Sequence, residues 1–569
     1  MKPVSVLAFS LCLSLCILGQ KQEAYLIEEC VSKSYSQNSC EKVFCQPWQK
    51  CVHGSCICKI PYQCPKNGTV VCTANRKTFR TYCQLKSYEC KHEMSKFLHR
   101  GNCNLQGTFQ IFFGPNSTSS EGTLQVEMTP HQKMFICGSG WGMNEANVAC
   151  RHLGFPIGAD LTELVDPDAA SHPSECLKAT CRGIETSLAE CTLSRQNWNS
   201  QKLAKVVCHT QPKDCSSGEF RCVNGKCMPS DKACDGINDC GDLSDELCCN
   251  ACRGESFHCK SDVCIPNKYL CNNEMDCLTG EDESQQLCAN RGGENQREEG
   301  EVEESMDEER KKTKMYLPQL HCGIAKHTQS RQKRIAGGIT AQKDEFPWHM
   351  SIINEYGRMH CGAVYIGGCW ALTAANCIGP EYLAYRIWSG LLNSVRGNEG
   401  IDSHFLKRVI FHEKYNFQTR ENNIALLEMG RCRLSNSIPA CIPWSQYMFK
   451  SGHQCKVSGL GSVEYMRKQY QLRWGYVYLM ENCSEIYREN FLNGMECAGT
   501  ADGSVDTCTN DAGGPLVCFD TNNVGYVWGI ASSQNCGAQG NPGIYTKVAN
   551  YFDWIGYHTG LSLVSRYNV

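Results

Sequence analysis

Apolar residues are distributed unevenly along this chain, and each change of pattern marks a change of element. Val4 to Leu18 is an almost unbroken apolar run behind Lys2, closed by the small Gly19. At the amino terminus such a run reads as a secretory signal over residues 1–20 rather than a membrane span. No later segment holds roughly 18 consecutive apolar residues, so no membrane span is expected in the mature protein. Around Cys361–Ala374 and Gly525–Ala531, alternating apolar runs predict strands. Residues 30–103 show turns and little helical periodicity, which predicts a small module without a large core. Residues 289–320 lose apolar positions almost entirely. There Glu298-Glu-Gly-Glu-Val-Glu-Glu304 and Asp307-Glu-Glu309 precede Arg310-Lys-Lys312, and the composition predicts a disordered linker.

Composition sharpens this picture. A length of 569 residues is too great for one core and implies several domains. The formal net charge of −3 gives no global basic field, so nucleic acid is not expected as a partner. The 44 cysteines, arranged in clusters, indicate disulfides made in an oxidising compartment, hence a secreted protein. Cys12 and Cys16 leave with the signal, and the other 42 can all pair. Asn67-Gly-Thr69, Asn116-Ser-Thr118 and Asn482-Cys-Ser484 are glycosylation sequons.

Two six-cysteine near-copies occupy 214–249 and 251–288. The first runs from Cys234-Asp-Gly-Ile-Asn-Asp-Cys240 to Asp242-Leu-Ser-Asp-Glu246, the second from Cys271-Asn-Asn-Glu-Met-Asp-Cys277 to Glu281-Asp-Glu283. Carboxylates crowded on one disulfide-bound loop repel unless a hard cation sits among them, and oxygen donors suit Ca²⁺. Cys30 is unmatched in the amino-terminal cluster, and one of the adjacent Cys248 and Cys249 is left over. A bridge from Cys30 to either would satisfy both.

Several segments resemble known modules. The repeats resemble low-density-lipoprotein-receptor class A modules, which implies one Ca²⁺ site in each. The first would use Asp235, Asp239, Asp245 and Glu246 with the carbonyls of Lys232 and Ile237. The second would use Asn272, Asp276, Asp282 and Glu283 with the carbonyls of Tyr269 and Glu274. Residues 30–103 resemble a follistatin-like knot followed by a Kazal-type module. Residues 109–209, with Gly140-Trp-Gly142 and Ala149-Cys150-Arg-His-Leu-Gly154, resemble a scavenger-receptor cysteine-rich domain.

The carboxyl-terminal residues 335–560 resemble a trypsin-fold serine protease, which implies paired six-stranded β-barrels. Thr373-Ala-Ala-Asn-Cys377, Asn423-Ile-Ala-Leu426 and Asp511-Ala-Gly-Gly-Pro515 carry that resemblance. In the family these segments deliver a histidine base, an orienting aspartate and the attacking serine. Here the positions hold Asn376, Asn423 and Ala512. Alanine has no nucleophile, and an amide takes no proton near neutral pH. His360, His404, His412, Ser504 and Thr509 show no spacing that would replace them. By the same resemblance Asp506 is the base of a pocket for Arg or Lys. Asn510 stands where the family has an oxyanion-hole glycine, and Ala531-Ser-Ser-Gln-Asn535 lacks the usual Ser-Trp-Gly. Arg331-Gln-Lys-Arg334 before Ile335-Ala-Gly-Gly338 resembles a dibasic processing site at the end of the linker 289–334. After cleavage at Arg334, Ile335 would pair with Asp511. The implied disulfides are Cys361–Cys377, Cys369–Cys432, Cys455–Cys518, Cys483–Cys497 and Cys508–Cys536, with Cys322–Cys441 tethering a two-chain form.

The module order as a whole resembles the complement factor I family, plasma regulators that cleave the opsonic forms of the third and fourth complement components with cofactors such as factor H. The fold class expected is therefore multidomain, mainly β and disulfide-rich, with small cysteine-rich modules before a trypsin-like double barrel. Three substitutions in three separate segments lead to the expectation that the chain is not an enzyme but a silent homologue binding opsonins and their cofactors. An active endopeptidase of that family and a general scavenger-type binder are the alternatives.

Overall fold

The computed structural model describes residues 25–561 apart from 105–108, 116, 130–131, 168–172, 199–201, 290–305, 317–320, 326–338, 393–400, 431, 433, 435–436, 461–471, 502, 504–510 and 533–540. The signal segment, Asn116, Arg334, Ile335, Asp506, Asn510 and the pair Cys508 and Cys536 therefore lie outside the described residues. Among the described residues no helix is long and apolar enough to cross a membrane. The chain divides into two compact units, residues 1–318 with 566–569, and residues 319–565.

The first unit is built from small sheets stapled by sulfur. Its amino-terminal hairpin pairs Gln49–Val52 with Ser55–Cys58, and Cys40–Cys51 and Cys45–Cys56 pin its base. A three-stranded sheet follows, with Val71–Thr73 between Thr78–Phe79 and Phe97–Arg100. Beside it runs the helix Tyr82–Glu89, whose start is fixed by the Thr81 hydroxyl accepting the Gln84 N–H. A seven-stranded sheet then packs against the helix Met143–Leu153. Glu145 at its start accepts the Gly142 N–H at 3.0 Å, and Gly154 ends it in the left-handed region at φ 101°. Leu124, Ile136, Val148, Leu177, Leu188 and Val206 fill this core. The two repeats each contribute one hairpin, Glu219–Arg221 with Cys227–Pro229 and Ser256–Cys259 with Val263–Pro266. Cys30 bonds Cys248, which leaves Cys249 to close the first repeat with Cys234.

The linker departs from its composition. Met306–Met315 is a helix, although its sequence MDEERKKTKM is almost wholly charged. Met306 is buried in the cluster of Trp48, Phe79, Tyr82 and Phe97, and Glu309 accepts the Thr69 hydroxyl at 2.8 Å. Arg310 and Lys314 both reach the Glu274 carboxylate. Charge matched across an interface, with one methionine anchor, orders a segment that average hydropathy marks as free.

The second unit is a pair of closed six-stranded barrels. The first runs in the order His349–Ile353, Met359–Gly367, Trp370–Thr373, Ala425–Gly430, Asp402–Phe411, Arg386–Ser389 and back to the start. The second closes Arg473–Leu479, Gln454–Gly459, Pro515–Phe519, Gly525–Ala531, Gly543–Lys547 and Met495–Gly499, and Ile339–Thr340 adds an edge strand. Closure removes the free sheet edges. Trp348, Ile352, Leu372, Leu426, Val517, Val527 and Ile530 are buried in its core. Cys361–Cys377 and Cys369–Cys432 staple the first barrel, Cys455–Cys518 and Cys483–Cys497 the second, and Cys322 bonds Cys441.

Candidate functional site

The barrels bring together the segments of Asn376, Asn423 and Ala512, for which the trypsin-fold resemblance implies a catalytic centre. The strand Trp370–Thr373 ends in the short turn Ala375–Cys377, and the Cys361–Cys377 bond holds that turn in place. Asn376 N–H donates to Asn423 Oδ1 at 3.0 Å, and Asn423 Nδ2 donates back to Asn376 Oδ1 at 2.9 Å. Asn423 is completely buried and also donates to Ser532 Oγ at 2.9 Å, while its carbonyl accepts the Thr546 hydroxyl at 3.0 Å. The amide pair thus satisfies itself without any charged group.

Ala512 lies in a turn locked by its neighbours. Its carbonyl accepts the Gly362 N–H at 2.8 Å, Gly514 N–H donates to Asp511 O at 2.8 Å, and Gly513 N–H donates to Ala531 O at 2.8 Å. Gly513 has φ +79°, and a Cβ there would run into Thr373 Oγ1 and the Gly362 carbonyl, so only glycine fits. Ala512 itself is fully buried, and Asp511 is buried against Gly459. His360 Nε2 pairs with the Cys377 carbonyl at 2.9 Å and stacks on Tyr385. His404 is buried, and His412 packs against Tyr551 and Trp554. Ser532 as a partner of Asn423 could not be read from sequence, because 109 residues separate them.

The acid loops of the two repeats form a second candidate site. In the first, Glu246 accepts the N–H groups of Asp235 and Gly236 at 3.1 and 2.9 Å, and Asp245 Oδ2 accepts those of Asp239 and Cys240 at 2.8 and 3.1 Å. Asp235 Oδ1 accepts the Ile237 N–H, and the Ile237 carbonyl accepts that of Asp239. Two buried carboxylate oxygens, Asp239 Oδ2 and Asp245 Oδ1, have no partner. Burial, and then the Asp235 charge, push the Asp239 carboxyl up to about 7. Burial followed by neighbouring carboxylates also raises Asp245 and Glu246, and burial raises Asp235. Four acids forced together with unpaired oxygens are the donor set of a hard divalent cation, and Ca²⁺ fits them. Lys232 ends the neighbouring turn Ser230–Lys232.

The second loop repeats the frame. Glu283 accepts the N–H groups of Asn272 and Asn273, Asp282 accepts those of Asp276 and Cys277, and Asn272 Oδ1 accepts that of Glu274. Burial raises the Asp282 carboxyl to about 7. Asp276, however, is already bonded by Arg182 at 2.8 Å and by Asn272 Nδ2 at 3.1 Å. Arg182 also lies over the Tyr269 ring, 4.4 Å from its centre. The donor set is still of oxygen type and fits Ca²⁺, but an ion here shares Asp276 with a guanidinium. Burial alone would raise Glu274, yet Arg310, Lys314 and Arg182 outweigh it and hold that carboxyl well below the usual range. No sequence signal pointed to Arg182, Arg310 or Lys314.

Asn67 and Asn482 are both exposed. Comparison with known proteins places these sites in context. The family profile described as Trypsin covers residues 335–555. Those described as Complement factor I, FIMAC N-terminal domain, and Complement factor I, KAZAL domain, cover 36–56 and 58–103. The scavenger receptor cysteine-rich domain covers 115–209, and low-density lipoprotein receptor domain class A covers 213–249 and 250–288. Complement factor I of Rattus norvegicus is 48% identical over 97% of this chain and 96% of its own length; that of Mus musculus is 48% identical over 96% of each. Transmembrane protease serine 11A of Homo sapiens is 34% identical over 40% of this chain and 56% of its own.

These matches overturn the expectation that the chain is not an enzyme. The relatives it follows end to end belong to a serine protease family, its trypsin domain is present, and nothing in the comparisons or the fold shows inactivity. The physical reason for the correction is that three side chains are a statement about one chemical route, whereas enzyme class was inferred for the whole frame. With relatives matched along nearly its full length, the chain belongs to the complement factor I family.

Proposed function

We propose that this protein works at the step where complement factor I works. It is secreted, engages the opsonic forms of the third and fourth complement components together with a factor H-type cofactor, and belongs to the arginine- and lysine-directed endopeptidase class. The carrying observation is the near-end-to-end match at 48% identity, which includes every recognition module and not the protease domain alone. One Ca²⁺ in each class A module, held by Asp235, Asp239, Asp245 and Glu246 and by Asn272, Asp276, Asp282 and Glu283 with the carbonyls of Lys232, Ile237, Tyr269 and Glu274, supplies the charge that keeps these loops closed. Processing after Arg334, an Ile335–Asp511 pair, an Asp506 pocket, glycans on Asn67, Asn116 and Asn482, and a Cys508–Cys536 bond complete the reading.

The peptidase part carries a chemical condition. Ala512 offers no hydroxyl and the Asn376 amide accepts no proton, so bond cleavage needs an attacking group other than residue 512. The test is a titration of processed protein against immobilised opsonin with and without factor H, followed by mapping of cut bonds and labelling with a fluorophosphonate probe. Cofactor-dependent binding with cleavage after basic residues is the expected result, and a labelled residue identifies the attacking group. Absence of any opsonin complex would overturn the reading.

A further inference from the structure

Within the second unit lies a cavity of about 180 Å³ that the reading above leaves unused. Phe346, Pro347, Leu391 and Leu472 make much of its wall apolar. Backbone bonds fix that wall: Leu472 N–H donates to Leu392 O at 2.9 Å, and Leu472 O accepts the Ala341 N–H at 2.8 Å. One imidazole is set into this surface. His349 opens the strand His349–Ile353, is 5% exposed, and lines the cavity. Its Nδ1 pairs with Ser458 Oγ at 3.0 Å, while among the described residues its Nε2 is buried without a partner. A buried nitrogen left unbonded is costly, so a ligand that bonds it relieves that cost.

Burial pushes His349 down to about 4, so the ring is neutral at physiological pH. Whether Nε2 then donates or accepts depends on which nitrogen carries the proton, and a hydroxyl group fits either tautomer. Two half-buried carboxylates also line the cavity. Ser389 pairs with Met350 on one side and with Asp402 on the other, which brings Asp402 to the same sheet edge as His349. Asp344 sits in a turn at φ +65°, where Gln342 N–H donates to Glu345 Oε2 at 2.8 Å. Both acids interact within the protein as well, but a carboxylate offers about four lone-pair sites. Among the described lining residues only Lys343 sets a fixed positive charge against them, so this side favours a cation. An apolar cavity of about 150 Å³ holds a benzene ring, so the space here suits one ring with a short arm.

We propose that this cavity binds a phenolic amine, with its ring on the apolar wall, its hydroxyl on His349 Nε2 and its ammonium beside Asp344 and Asp402. The cavity shares no lining residue with Asn376, Asn423 or Ala512, and the proposal does not rest on the peptidase reading. A free amine and the amino-terminal tyrosine of a peptide both carry this chemistry, and the test separates the two.

Tyramine, 2-phenylethylamine, 4-ethylphenol and Tyr-Gly-Gly-amide are titrated against the full secreted chain by isothermal titration calorimetry. Tyramine is expected to bind with a dissociation constant on the order of 100 µM or tighter. Loss of the hydroxyl or of the amine is expected to weaken binding about fivefold to tenfold each. Tyr-Gly-Gly-amide binding as tightly as tyramine would assign the site to a chain end, and weaker binding would assign it to the free amine. Benzamidine, which suits a pocket for basic side chains, is expected not to displace tyramine. Leu392 lines the cavity and is half-buried, so Leu392→Trp should fill the space and abolish tyramine binding with His349 intact. His349→Phe is expected to make tyramine and 2-phenylethylamine bind equally. Should either variant melt early, the wild-type ligand series still decides. No tyramine binding, an affinity unchanged by loss of either group, displacement by benzamidine, or full binding in a folded Leu392→Trp would overturn the proposal.

Discussion

The two acid loops are near-copies in sequence and in backbone hydrogen bonding, yet they balance their charge by different means. Asp235–Glu246 gathers four acids, three of them buried, with two carboxylate oxygens left unpartnered. Its relative at 272–283 has exchanged one acid for Asn272 and received Arg182 on Asp276, while Glu274 beside it collects Arg310, Lys314 and Arg182. The same cradle of N–H groups holds both. The first loop leaves buried carboxylate oxygens without a partner, and the second is partly neutralised by cations of the chain. A repeated module can therefore keep its geometry while changing what stabilises it, because the fold is set by disulfides and backbone bonds and the charge balance by whatever packs outside.

The largest effect that separates the loops is expected from Arg182→Ala. It leaves Asp276 and part of the Glu274 charge buried without compensation, a loss on the order of 3–5 kcal/mol. Differential scanning calorimetry should show it in the first unit, with Asp235–Glu246 unaffected in hydrogen exchange. If both loops lose protection equally, the comparison fails. Chelation should act the other way. If free Ca²⁺ stands about a hundredfold to a thousandfold above the dissociation constant, removing it costs about 3–4 kcal/mol, and exchange should rise more across 234–249 than across 271–288.

Acidity sharpens the same contrast. In the chelated protein the Asp239 carboxyl stands at about 7, above its unfolded value, so the native loop binds more protons than the unfolded chain between those points. Stability should then fall as pH rises from about 5 to about 7.5, and added Ca²⁺ should reverse the slope. Glu274 has the opposite sign: its depressed carboxyl contributes stability above the unfolded value that is lost as pH drops further. Melting curves from about pH 2 to about 7.5, with and without chelator, check both directions. The smallest expected effect is Thr69→Val. Losing one hydrogen bond to Glu309 should cost about 1 kcal/mol and speed tryptic cleavage after Lys311 and Lys312.

Sequence made the architecture legible where spacing carries the information. Clustered cysteines marked the small modules, and alternating runs marked the strands around Cys361 and Gly525. Crowded carboxylates at 235–246 marked the acid loop that the structure shows bonded to its own backbone N–H groups. What stayed hidden depends on contacts that no local pattern encodes. Arg182 meets Asp276 across 94 residues, and Lys86 meets Glu190 across 104, so neither pair leaves a periodic trace. Composition predicts a disordered linker across the helix Met306–Met315 because its charges count as unpaired until Glu274 and Thr69 are seen beside them. The expectation of no enzyme fails for a different reason: it rests on a few cleft positions, Asn376, Asn423, Ala512, Asn510 and 531–535, although the identity of a family resides in the whole chain.

The bond between Cys30 and Cys248 has a consequence for biogenesis. These residues lie 218 positions apart, so a thiol made early in translation has to wait, reduced, until almost half of the polypeptide has left the ribosome. Any nascent chain that stops short of residue 248 lacks the native partner of Cys30. Wherever a chain is screened for free thiols, only polypeptides that have completed the first acid loop would pass.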